Sequence, residues 1–204
     1  MRRTMLISVG IAIACPFLGA TPQPCVTDTL TKYINLGAQG CSIGNTVYAN
    51  FSYSTPISTT TGVTPDQIKV TPVLQVPLTS GFTFSARWHA AGGQSQQSTI
   101  NYTAVAPTNT PQQWLLTLDL GQAQVLGIIG SARVDQTTNV GNLSVFLQCA
   151  DVCRIQNHDQ VQFDSVSVIL VSNHVTITGG NQGASLSGFT ALLNLCPPCD
   201  MPQP

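Results

Sequence analysis

Across 204 residues the chain contains no glutamate, and its only lysines are Lys32 and Lys69. Glu and Lys normally cover helix surfaces, because they lose little rotamer freedom there and pair at i, i+4. The polar covering here is Thr, Ser, Asn and Gln, which bond locally to backbone and suit strands and turns. That composition directs the chain to β architecture. Charged residues make up 7% and hydrophobic ones 43%, so a core is available even though the surface is weakly charged.

From Thr46 onward apolar residues recur with period two, the signature of strands with one buried face. In 46–54, Val47, Ala49, Phe51 and Tyr53 share a face opposite Asn50, Ser52 and Ser54. Phe82, Phe84, Ala86 and Trp88 align in 82–89, as do Trp114, Leu116, Leu118 and Leu120 in 112–120. Further strands are expected at 67–76, 97–106, 123–135, 142–149, 160–171, 173–178 and 184–195. Pro72 and Pro77 assign 67–76 to a sheet edge. Turns are expected at Ala91-Gly92-Gly93 and Gly179-Gly180-Asn181. Nine or ten short strands predict an all-β fold, an antiparallel β-sandwich. One short N-terminal helix is expected at 27–36, capped by Thr27 or Asp28, striped by Leu30, Tyr33 and Ile34, and ended by Gly37. No composition shift interrupts residues 21–196, which are expected to form a single domain, with 197–204 a loose tail.

Residues 1–20 read as an export signal: Arg2 and Arg3, an apolar stretch from Met5 to Ala14, then small residues. Cleavage fits after Ala14 or after Ala20, and a third reading is lipidation of Cys15. No later segment approaches the ~18–20 apolar residues of a spanning helix. The formal charge is −1. Without Arg2 and Arg3, five basic residues face eight Asp, giving −3. So few cations leave no footprint for nucleic acid or anionic lipid. Beyond Cys15 there are six cysteines: Cys25, Cys41, Cys149, Cys153, Cys196 and Cys199. Sequence allows all their pairings, and local ones are expected: Cys25–Cys41, Cys149–Cys153 and Cys196–Cys199. The second needs a turn at Ala150-Asp151-Val152, because residues four apart in a straight strand lie roughly 13 Å apart.

Several residues invite chemistry. Cys196-Pro197-Pro198-Cys199 has the spacing of thiol oxidoreductases but lacks their βαβ context, so a structural disulfide is favoured. Cys149, Cys153, Cys196 and Cys199 have permissible zinc spacing, although thiols oxidise outside the cytoplasm. Asp151, His158, Asp159 and Asp164 form the densest polar cluster, without ordered calcium-loop spacing. His158 beside Asp159 suggests a base and its orienting acid, but neighbours on a strand face opposite ways. His89 and His174 stand alone. Trp88 and Trp114 fall on apolar faces and are read as core, whereas Tyr48 and Tyr102 have polar neighbours and are the candidate exposed platforms for a ligand. Asn50, Asn101 and Asn142 head N-x-S/T sequons. No catalytic, metal or cofactor set is complete, and a non-enzymatic role is favoured.

The stretch CVTDTLTKYINLGAQGCSIGNTVYANFSYS, followed in order by DQIKVTPV, GFTFSARWHAAGGQSQQSTINYTA and VTITGGNQGASLSGF, resembles the N-terminal β domain of exported bacterial proteins of the PEP-CTERM type. Such proteins carry a V-P-E-P-like motif, an apolar helix and a basic end, and the sequence LLNLCPPCDMPQP has none of these. The resemblance implies an exported β domain without the sorting step, at the cell surface or in an extracellular polysaccharide matrix. It brings no catalytic residues. The expected role is that of a non-catalytic surface or matrix-associated protein, with extracellular polysaccharide or other surface proteins as partners. A polysaccharide-binding module and an Asp-based hydrolase are the alternatives.

Overall fold

Strand alternation becomes two packed sheets in the computed structural model, which describes residues 21–56, 61–75, 79–106, 113–164 and 166–196. The expected signal, Cys15, Cys199 and the tail lie outside the described residues. In chain order the elements are β1 (Gln23–Pro24), β2 (Asp28–Thr29), α1 (Leu30–Asn35), β3 (Cys41–Ile43), β4 (Thr46–Ser54), β5 (Lys69–Gln75), β6 (Thr79–Ala91) and β7 (Ser95–Val105). There follow β8 (Gln113–Leu120), β9 (Ala123–Leu126), β10 (Ile129–Thr138), β11 (Asn142–Ala150), β12 (Val152–Gln156), β13 (His158–Asp164), β14 (Val168–Thr178) and β15 (Gly183–Cys196). The first sheet runs β1-β3-β4-β7-β14-β10-β11-β12, and the second runs β13-β8-β15-β6-β5-β2 with β9 also beside β15. Among the described residues, only the β1–β3 pairing is parallel.

The all-β expectation holds, with fifteen described strands rather than nine or ten. The expected strand 123–135 is two strands in different sheets. Gly127, at φ +86°, turns the chain between them, and a Cβ there would meet Asn181 Oδ1 at 2.5 Å. The expected break at 172 falls earlier, between β13 and β14, which also lie in different sheets. β12 escaped expectation because VCRIQ has no alternation; all but its last residue are exposed. Helix α1 is shorter than expected. Asp28 and Thr29 pair with β5 instead of capping it by side chain, while Gly37, at φ +56°, ends it as expected. Pro72 sits where β5 has passed the two-residue β2, so its missing N–H costs no ladder bond on that side.

The core lies between the sheets. Trp88, Phe82, Phe84, Trp114 and Phe189 enter from the second sheet, and Tyr48, Phe51, Ile100 and Tyr102 from the first. Tyr33 of α1 bridges the layers, its ring centroid 5.0 Å from Phe51 and 5.5 Å from Phe82. Its hydroxyl donates to the Val26 carbonyl at 2.7 Å. A six-residue helix is too short to persist on propensity; burial of Leu30 and Tyr33 holds it.

The two margins are built alike. At one, the chain passes from β1 of the first sheet to β2 of the second through residues 25–27, and Cys25 in that crossing is bonded to Cys41. At the other, it passes from β12 to β13 through Asn157 alone, and Cys153 of β12 is bonded to Cys149. These are the outermost strands of both sheets. Asp159 of β13 accepts the Ser144 amide of β11 at 2.8 Å, covering the part of that edge beyond the reach of β12.

Candidate functional site

A β-bulge decides what faces outward on the first sheet. Ala49 pairs with Thr103 and Ser52 with Asn101, so β4 carries one residue more than β7 over this span. Asn50 absorbs the excess at φ +56°. Before the bulge Thr46 and Tyr48 point inward; after it Phe51 and Tyr53 do, while Asn50 and Ser52 are exposed. The alternation therefore changes phase at residue 50.

This corrects the candidate ligand platforms. Tyr48 is 1% exposed and Tyr102 is 6% exposed. Tyr48 inverts because straight period two was carried through the bulge. Tyr102 shares its inward face with Ile100 and Ala104. The Tyr48 hydroxyl bonds Ser80 Oγ at 2.8 Å, and burial pushes both phenols well above their ordinary value. In the same buried layer, Asn173 Oδ1 accepts from Gln136 Nε2 at 2.9 Å. The enclosed cavity bounded in part by Tyr48, Tyr102 and Gln136 has a volume of about 10 Å³, room for no more than one water. Trp88 and Trp114 are core residues, as expected.

With those aromatics inside, short polar side chains make up one row of the first sheet's outer face, which turns apolar farther along at Val105 and Val168. Ser52, Asn101, Ser172, Thr137 and Asn142 stand abreast across five consecutive strands. The next row toward the Asn50 end places Thr103 beside Leu170. Here lies an open groove of about 470 Å³, lined by Asn50, Asn101, Thr103, Thr137, Leu170 and Ser172 among others. Asn101 Nδ2 donates to Ser52 Oγ at 3.1 Å. Asn139 forms the wall after β10, its Oδ1 accepting from the Leu170 amide at 3.0 Å and its Nδ2 donating to the Val168 carbonyl at 3.1 Å. That side chain continues the sheet's ladder past the last paired residue, Thr138. The three sequons all fall on this face. In a strand, N-x-S/T with an apolar middle residue is simply polar-out, apolar-in alternation, with Phe51, Tyr102 and Leu143 pointing in.

No titratable carboxylate, imidazole or cation lines the groove, although His174 and Asp135 occupy the neighbouring row of the same face. His158 pairs with Asp119 of β8 rather than with Asp159, Nδ1 to Oδ1 at 2.7 Å. This hydrogen bond holds its imidazole above the ordinary value. In register, Asp119 lies between His158 and Thr190, and Thr190 Oγ1 bonds Thr83 Oγ1 at 2.9 Å. The carboxylate, not the imidazole, neighbours the hydroxyl, which is the wrong order for a nucleophile–base–acid relay. Asp151, Asp159 and Asp164 are separated: Asp151 is the hairpin turn at φ +65°, Asp159 caps Ser144, and Asp164 ends β13. His174 is flanked by Thr99 Oγ1 at 3.0 Å and Ser172 Oγ at 3.1 Å.

Two of the three expected disulfides are formed, Cys25–Cys41 and Cys149–Cys153. Cys149 and Cys153 are directly opposed in the β11–β12 ladder. Their bond removes two of the four thiolates from the candidate zinc set. The third expected bond, Cys196–Cys199, involves Cys199, which lies outside the described residues. Among the described residues, no helix is long and apolar enough to cross a membrane.

No protein-family model matches the chain, and no curated protein sequence matches it. Among solved structures, the chain is similar to the enzymatically active domain of tailspike protein 4 of bacteriophage CBA120. The identity is 10% and the TM-score 0.30 over 76% of this chain. The match spans 20% of that structure's chain.

The groove was illegible in the sequence because its residues come from four strands, β4, β7, β14 and β10. Only register brings them together. A weak signal existed in two of the N-x-S/T runs, whose Asn50 and Asn101 line the groove.

Proposed function

We propose that this chain is an exported, non-catalytic β protein of the cell surface or extracellular matrix. The observation that carries this reading is the pair of disulfides, one at each margin of the two-layer fold. Such bonds persist in oxidising compartments and are rare where thiols are kept reduced. The N-terminal signal read in the sequence and the resemblance to exported PEP-CTERM-type proteins point the same way. The non-catalytic part rests on placement. The groove on the first sheet is lined by neutral side chains, whereas His158 and Asp119 form an exposed pair on the second sheet with a relay order unsuited to attack.

Fractionation of the native host, with intact mass before and after reduction, tests this reading. The expected result is a chain found outside the cytoplasm, shortened by the first 14 or 20 residues, and gaining mass on reduction by at least two bridges. Free thiols on a cytoplasmic chain would overturn it. So would a hydrolytic activity abolished by Asp119→Asn.

A further inference from the structure

We infer that the groove on the first sheet binds a neutral, polyhydroxylated chain, that is, an uncharged polysaccharide segment. The inference rests on the extracellular reading above and adds a site and a ligand class to it.

Hydroxyl and carboxamide groups both donate and accept, as sugar hydroxyls do, so each side chain of the floor can meet either face of a diol. Asn101, Ser172 and Thr137 present this chemistry in one row, and Thr103 adds to it from the next. None of the groove's side chains is ionised at neutral pH. The nearest ions on this face, Arg133 and Asp135, are paired with each other at 2.7 Å, so an anionic or cationic ligand gains little Coulomb compensation for the water it gives up. Leu170 lies in the same floor at 56% exposure. In a row of polar residues it offers the apolar contact that the C–H face of a sugar ring requires. From β4 to β10 the groove crosses three inter-strand steps, about 14 Å, longer than one ring.

Preorganisation is visible at both ends. Asn139 is clipped to the β14 backbone by two hydrogen bonds, and Asn50 is held at positive φ by the bulge. A non-glycine residue kept in that conformation is a local cost, and such costs gather where a side chain is aimed at something. Because the floor is regular strand, little entropy is lost when ligand settles on it.

The test uses the disulfide-bonded, signal-free full chain in amide chemical-shift titrations. The probes are cellohexaose, maltohexaose and xylohexaose, with hexagalacturonate as the acidic comparison. Saturable shifts at Asn101, Thr103, Thr137 and Ser172 with at least one neutral hexamer are expected, and none with the acidic one. Asn101→Ala is expected to weaken binding about tenfold, the worth of one or two hydrogen bonds. Thr137→Arg fills the groove from an exposed position and is expected to abolish binding, while the spectrum away from the groove stays unchanged. Gln97→Arg, on the same face outside the groove, is expected to have no effect. The inference is overturned if no neutral hexamer shifts the groove, if hexagalacturonate binds as well, or if the intact mass shows a hexose chain already attached to Asn101. An exported, oxidised chain that binds nothing would remove the inference and leave the extracellular reading standing. A reduced cytoplasmic chain would remove that reading whatever it binds.

Discussion

Tyr48 carries more information than any other side chain in the fold, because it discriminates between a ligand surface and a core. As a surface platform it would be replaceable at no cost in stability. Buried against Phe82 at 4.7 Å between centroids, Tyr48→Ala is expected to destabilise by about 3–5 kcal/mol. Tyr48→Phe, which removes only the bond to Ser80, is expected to cost about 1 kcal/mol. Urea denaturation distinguishes the two. Asn50 is the second informative residue. A β-branched side chain at positive φ is strained, so Asn50→Val is expected to lose about 1–2 kcal/mol, whereas Asn50→Gly stays within about 0.5 kcal/mol of the parent. His158 supplies a pH test. Its folded pKa is raised, so the pair with Asp119 contributes stability that is fully present below the unfolded-state value of about 6.5. That contribution is lost as pH rises through the higher folded value. In Asp119→Asn the ring proton resonance of His158 is expected to titrate at lower pH, and an unchanged midpoint would deny the pairing. Phe82, Phe84, Trp88 and Trp114 could be placed from sequence because period two holds unbroken along β6 and β8. Tyr48 could not, because one extra residue reverses the period. Asp119 could not be matched to His158, because a partner 39 residues away is fixed by register alone.

Among the elements, strands were legible where burial on one face imposed alternation, and illegible where it did not. β12 is exposed along nearly its whole length and shows no pattern; what specifies it is the hairpin at Asp151 and the disulfide beneath. The break between β9 and β10 was hidden by a continuous apolar run, VLGII, in which Leu126, Ile128 and Ile129 are in fact exposed. The disulfides differ in what they contribute. The bridges close separations of 16 and 4 residues, for which chain entropy gives about 3 and about 2 kcal/mol respectively. Replacing Cys25 and Cys41 by Ser is therefore expected to lower the urea midpoint more than replacing Cys149 and Cys153. The reverse order would mean that the β11–β12 hairpin depends on its bond for more than loop closure.

For the whole molecule, the outcome follows from how distant in sequence its neighbours are. β7 lies between β4 and β14, and β15 between β6 and the pair β8 and β9. Such non-local pairing must accept loop-closure entropy before contacts form. Refolding with disulfides intact is expected in milliseconds to seconds by stopped-flow fluorescence of Trp88 and Trp114. A microsecond phase accounting for the full amplitude would contradict this topology. The arrangement of the margins has a further consequence. An ordinary two-layer fold has open flanks, along which the layers can slide or be peeled apart while every covalent bond stays whole. Here the chain itself is stitched around both flanks, through residues 25–27 and Asn157, each stitch knotted beside a cystine. A molecule so hemmed offers no free flank from which one layer can be lifted off the other.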